Sequence, residues 1–138
     1  MRPWKIKRIV QQGPTCTIAC AAMILGVEFE VVEKHFHPEK KRTLTTLSDY
    51  LGDHGYSILI KELLYHGHPS FEFTEMCRPF APAHILHLKQ FTDSEDQHVV
   101  VMDQKGKLFD PSQEDCQLAD FYMVTGVLGV WRPEDIKF

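Results

Sequence analysis

Gln11-Gln12-Gly13-Pro14-Thr15-Cys16-Thr17-Ile18-Ala19-Cys20-Ala21-Ala22-Met23-Ile24-Leu25-Gly26 is the stretch from which the rest of the chain can be read. A polar turn tips into a small-residue apolar helix, with a cysteine at the junction. Pro14 fixes its own φ and biases Gly13 away from helix. Thr15 is placed to accept from the free amides of the first turn, and Gly26 suits a left-handed stop. Cys16 therefore opens the helix, where unpaired N–H groups and the positive end of the helix dipole favour thiolate over thiol. The plainer reading is packing, because free cysteine is among the most buried residue types and Ala/Cys/Met helices pack closely. A nucleophile needs a histidine and an orienting group from elsewhere in the chain.

The 138 residues suit one domain, 1–138, with a core of its own. A net charge of -4 disfavours nucleic acid and anionic membranes. Arg2, Lys5, Lys7 and Arg8 make a basic start, but Gln11 to Pro14 interrupts any apolar region and the next apolar run is far short of a span. Neither export nor membrane insertion is expected. Cys16, Cys20, Cys77 and Cys116 lack the spacing of a disulfide framework, so reduced thiols and a cytoplasmic location are expected.

Outward from the helix, Trp4 to Val10 alternates as a short extended segment should. Val27 to Phe36 predicts a second helix with Val31, Val32 and Phe36 on its apolar face, ended by Pro38. Glu39 to Arg42 reads as a solvated loop. A third helix, capped by Thr43 or Thr45, carries Leu44, Leu47 and Leu51 and leaves through Gly52 to Gly55. From Tyr56 the period changes. Tyr56 to Leu64, Ala83 to Leu88, Val99 to Met102 and Tyr122 to Trp131 read as strands, with a turn at Gln104 to Gly106 and a short helix over Gln117 to Phe121. His66 to Pro82 reads as a long surface excursion bordering a cleft. Helices first and strands later give an α+β domain with an antiparallel sheet.

The back half supplies what Cys16 lacks. His98 opens the apolar run His98-Val99-Val100-Val101-Met102, held by the sheet with its ring reachable. Asp110 follows the next short strand in Lys107-Leu108-Phe109-Asp110-Pro111, and a hairpin brings it back beside His98. Thiol, base and a carboxylate that sets the base's tautomer are then all present. Gln11 or Gln12, just upstream, is placed to donate to a developing oxyanion with the Cys16 N–H as second donor. Individually each residue has a plain structural reading: a turn Asp-Pro, an exposed strand histidine, a solvated glutamine.

A Gln, a short turn, then Cys followed by Ala-Cys-x-x-Met-Ile-Leu resembles the nucleophile helix of papain-like cysteine peptidases. It is most similar to the bacteriocin-processing, double-glycine-leader peptidase domains and their stand-alone relatives. The resemblance continues through Leu44 to Tyr56, Ala83 to Lys89, the His98 to Pro111 hairpin and Phe121 to Leu128 with Thr125-Gly126-Val127. It implies a papain-like fold with the nucleophile helix among N-terminal helices packed on the sheet. It also implies Cys16 as nucleophile, His98 as base then acid, Asp110 as orienter and Gln11 as oxyanion donor. Two positions depart from the family: Thr17 stands where it usually has Gly, and Gln11 lies five rather than six residues before the cysteine. The Gln-x-Gly-Pro-x-Cys form is similar to the shorter turn of actin-maturation-type proteases, which favours Gln11 over Gln12.

The function expected is a cysteine peptidase that needs no cofactor or metal and works as a monomer on a peptide or protein substrate through a thioester. Deamidation or acyl transfer by the same triad, and an inactive peptide-binding domain, are the alternatives. No membrane-spanning or nucleotide-binding segment flanks the motif, unlike transporter-fused leader peptidases. A zinc site from Cys16, Cys20, His35, His37, His66, His68, His84 and His87 lacks paired CxxC spacing.

Overall fold

The computed structural model describes residues 3–10, 15–36, 44–66, 75, 77–90, 98–112 and 121–136. Three helices come first, α1 (Cys16–Leu25), α2 (Phe29–Phe36) and α3 (Leu44–Asp53). Five strands follow, β1 (Ser57–His66), β2 (Ala83–Gln90), β3 (His98–Asp103), β4 (Leu108–Phe109) and β5 (Phe121–Trp131). The strands form one antiparallel sheet in the order β1-β5-β2-β3-β4, so the architecture is α+β.

α1 is apolar all round, and every residue from Thr17 to Ile24 is buried. Such a helix belongs inside a protein, and its alanines let α2, α3 and β3 approach it from different sides. Gly26 ends it in the left-handed region, at φ 69°, its N–H returning to the Ala22 carbonyl at 2.9 Å. Thr15 stands at the N-cap, but its side chain caps nothing. Its carbonyl instead accepts from the Ala19 N–H at 3.1 Å, so the helix starts without the expected hydroxyl cap. α2 begins at Phe29, two residues later than the pattern suggested. Its buried face is Phe29, Val32 and Phe36 at i, i+3 and i+7, which turns Val31 out to solvent. In α3, Leu47, Tyr50 and Leu51 are buried. The expected Glu39 to Arg42 loop, the Thr43 cap and residues 117–120 of the predicted short helix lie outside the described residues. Phe121 is already strand.

The central strands are buried on both faces, while Leu59 and Ile60 of β1 are exposed. Ala83, Ile85, Val99, Val101, Leu128 and Val130 face the helices. Their strand neighbours Leu86, Leu88, Val100, Met102, Val124 and Val127 form a second cluster with Cys77 and Phe80. Period-two alternation into two buried layers explains why the β3 sequence is an unbroken apolar run. The second layer depends on Gly129, where a Cβ would stand 2.4 Å from the Phe80 ring, whose other neighbours include the Lys61 ammonium at 4.3 Å. No described helix is long and apolar enough to cross a membrane.

Candidate active site

The β3–β4 hairpin is set by its turn. Asp103 Oδ1 accepts from the Lys105 and Lys107 amides, both at 2.9 Å, and Gly106 takes a positive φ of 89° that few other residues adopt. The register pairs Val101 with Phe109 and Met102 with Leu108. Continued past β4, it brings Asp110 level with Val100 and Ser112 level with His98, so Asp110 and His98 are same-face diagonal neighbours.

They meet accordingly. His98 Nε2–H donates to Asp110 Oδ1 at 2.6 Å. With Nε2 taken by the carboxylate, the other ring nitrogen is left for the Cys16 thiol, which lies close enough for each group to shift the other's pKa. Cys16, His98 and Asp110, from the head of α1, the mouth of β3 and the residue after β4, are thus brought together, with His98 and Asp110 hydrogen-bonded.

What aligns α1 with β3 is the backbone of Val99. Its carbonyl accepts from Cys20 Sγ at 3.4 Å, and its N–H helps to lower the Cys16 pKa. Pro111, level with Val99 in the continued register, has no N–H to offer. Cys20 therefore ties the edge of the strand to α1 and acts as a buried structural donor. Burial holds its thiol well above the ordinary cysteine range, aided by the nearby negative charges of Cys16 and Asp110.

The electrostatics agree with the geometry. Burial would raise the Cys16 pKa, but the hydrogen bond and positive charge of His98, with the Val99 N–H and the Thr17 hydroxyl, outweigh it and bring the thiol below its usual value. Burial would likewise lower the His98 pKa, yet the Asp110 and Cys16 hydrogen bonds and charges raise it to about 9. Asp110 is held below the ordinary carboxylate range, since His98 and both donors of Ser112 outweigh desolvation. The two shifts run in the same direction, each favouring a thiolate–imidazolium pair, backed by the Asp110 carboxylate, over a neutral thiol and imidazole.

Two partners escaped the sequence reading. Arg8 Nε donates to the Asp110 carbonyl at 2.6 Å, tying the segment 3–10 to the residue carrying the carboxylate. Ser112 donates to Asp110 Oδ1 from its N–H and from its Oγ, each at 2.8 Å. An Asp-Pro-Ser run signals such a side-chain turn, whereas a contact spanning 102 residues has no local signature.

Gln11 and Gln12 lie outside the described residues. So does most of the excursion expected to border the cleft. Its described end, Pro79 to Pro82, lines a groove with Asp103, Gln104 and Lys105, at the opposite end of β3 from His98. Among the described residues no group of three or more His, Cys, Asp and Glu could hold a metal. His84 is fully engaged instead: Nε2 accepts from the Phe80 and Ala81 amides, both at 2.9 Å, and Nδ1–H donates to the Met102 carbonyl at 3.2 Å. His87 Nδ1 lies 2.8 Å from the Thr125 hydroxyl. Cys16, Cys20 and Cys77 are free. Compared with known proteins, the chain matches no family model, and no curated protein or solved structure is found to match it.

Proposed function

We propose that the protein is a papain-like cysteine peptidase, hydrolysing a peptide or isopeptide bond through Cys16, His98 and Asp110. One observation carries the reading: a free, partly buried cysteine at a helix head stands beside a histidine whose Nε2 lies 2.6 Å from a buried carboxylate. A structural cysteine has no need of that line of partners.

In the reaction, the Cys16 thiolate adds to the substrate carbonyl carbon and the C=O π pair moves onto oxygen. The Cys16 N–H and the Gln11 amide donate to that oxyanion in this reading. Collapse breaks the C–N bond, the amine leaving with the proton of the His98 imidazolium. Water then attacks the thioester while His98 takes its proton. The C–S bond breaks, a carboxylic acid leaves, and the thiolate–imidazolium pair is restored. Asp110 keeps the ring in the productive orientation and stabilises its positive charge throughout. The work requires a reduced Cys16, in keeping with a cytoplasmic setting.

Intact-mass labelling with iodoacetamide at pH 6, for wild type, Cys16→Ala and His98→Ala, tests the proposal. Single, fast labelling that disappears in both variants is expected, and a peptide mixture should then be cleaved by wild type alone. Slow labelling spread over all four cysteines would overturn the reading.

A further inference from the structure

Oδ1 of Asp110 receives every donor that reaches this carboxylate among the described residues: His98 Nε2–H at 2.6 Å, the Ser112 N–H at 2.8 Å and the Ser112 hydroxyl at 2.8 Å. Its partner oxygen, Oδ2, is buried and makes no hydrogen bond to any described residue. An aspartate's terminal torsion is soft, so the side of the carboxylate presented to His98 is decided by what holds Oδ1. Ser112 supplies two of its three bonds.

The Ser112 hydroxyl also lies 3.2 Å from His98 Nε2. The Asp110 side chain is 0% exposed and that of His98 13%, while Ser112 is exposed. The hydroxyl therefore sits at the boundary between solvent and the His98–Asp110 bond, touching both partners. Arg8 holds the Asp110 main chain from the other direction through its carbonyl. Backbone placement and side-chain orientation thus have separate supports.

From this geometry we infer that Ser112 is a positioning residue of the triad, locking the carboxylate through Oδ1 and closing the solvent side of the His98–Asp110 hydrogen bond. The inference rests on the peptidase reading. Without the hydroxyl, water takes its place, competes for Nε2–H and Oδ1, and lets the ring tilt away from the thiol. The imidazolium is then less well stabilised, and with it the thiolate.

The test is the pH dependence of Cys16 alkylation by iodoacetamide, with kcat and KM on a cleaved peptide, for wild type, Ser112→Ala and Ser112→Thr. Ser112→Ala keeps the amide donor and removes only the hydroxyl. It should raise the midpoint of thiolate formation by about half a pH unit and lower kcat about three- to tenfold with KM unchanged, the size expected for one charge-assisted hydrogen bond at the pair. Ser112→Thr should restore both, and the melting temperature should stay at the wild-type value. A Ser112→Ala variant whose midpoint and kcat coincide with wild type overturns the inference, as does a loss that Ser112→Thr fails to reverse. Wild type that shows no selective Cys16 alkylation sinks the peptidase reading itself, so the two failures are told apart.

Discussion

His84 and His98 stand on neighbouring strands, both buried in large part and both hydrogen-bonded, yet they are held in opposite states. At His84, two backbone N–H groups point at one ring nitrogen and a carbonyl receives the proton of the other. Burial lowers its pKa further than the Met102 carbonyl and Asp103 raise it, so the ring stays neutral. At His98 the partners are the Asp110 carboxylate and the Cys16 thiol, which together raise the ring's pKa to about 9. Burial alone would lower both; the charge of the partners decides which histidine stays neutral in a staple and which holds its proton.

The sharpest way to break this contrast is to remove a charged partner. Cys16→Ala and His98→Ala should each reduce peptide cleavage to background with far-ultraviolet circular dichroism unchanged, because alanine is accepted at a helix head and His98 lies at a strand end. Asp110→Asn keeps an acceptor oxygen but removes the charge. It should cut kcat/KM by about 10²- to 10⁴-fold, the range of general acid–base catalysis. It should also shift the alkaline limb of the pH–rate profile down from about 9 towards the free-imidazole value.

On the other side of the comparison, His84→Ala strips two buried amides of their acceptor. It should cost about 2–6 kcal/mol by urea unfolding, at about 1–3 kcal/mol for each orphaned donor. Its rate per folded molecule should remain that of wild type. The two histidines also shift stability in opposite directions with pH. His84, with a lowered folded pKa, contributes stability that is complete above about 6.5 and lost as the pH falls below it. His98, with a raised one, contributes stability that is complete below about 6.5 and lost as the pH rises through about 9. Unfolding curves from pH 5 to 10 should therefore lose their acid slope in His84→Ala and keep their alkaline one. The smallest effect is expected from Gly129→Ala, whose new Cβ meets the Phe80 ring beside His84. A cost of about 1–3 kcal/mol is expected for such overpacking, relieved in part by Phe80→Leu.

Much of the helical layer was legible because its signals are local. Cys16 opens α1 and Gly26 closes it in the left-handed conformation, as the turn and stop residues required. The β3–β4 hairpin was legible from Gly106 and the apolar run, and it carried His98 and Asp110 together. The misread face of α2 has a physical cause. Val31 and Phe29 are both apolar, and only packing against α1 selects 29, 32 and 36 over 31, 32 and 36. Thr15 had the right chemistry for a cap, but the backbone at φ -122° and ψ 34° does not turn its side chain to the first amides.

The sequence by itself determined the residue types that the chemistry needs, the helix boundaries at Cys16 and Gly26, and the turn that returns Asp110 to His98. These follow from backbone preferences and period, which act over a few residues. The tertiary structure alone decided that the Val99 carbonyl would hold Cys20, that Arg8 would reach the Asp110 carbonyl, and that His84 would be a staple while the His98 pKa is raised. Each depends on groups distant in the chain meeting in a place from which water is largely excluded. There the partner's charge, rather than the residue's own type, sets its state.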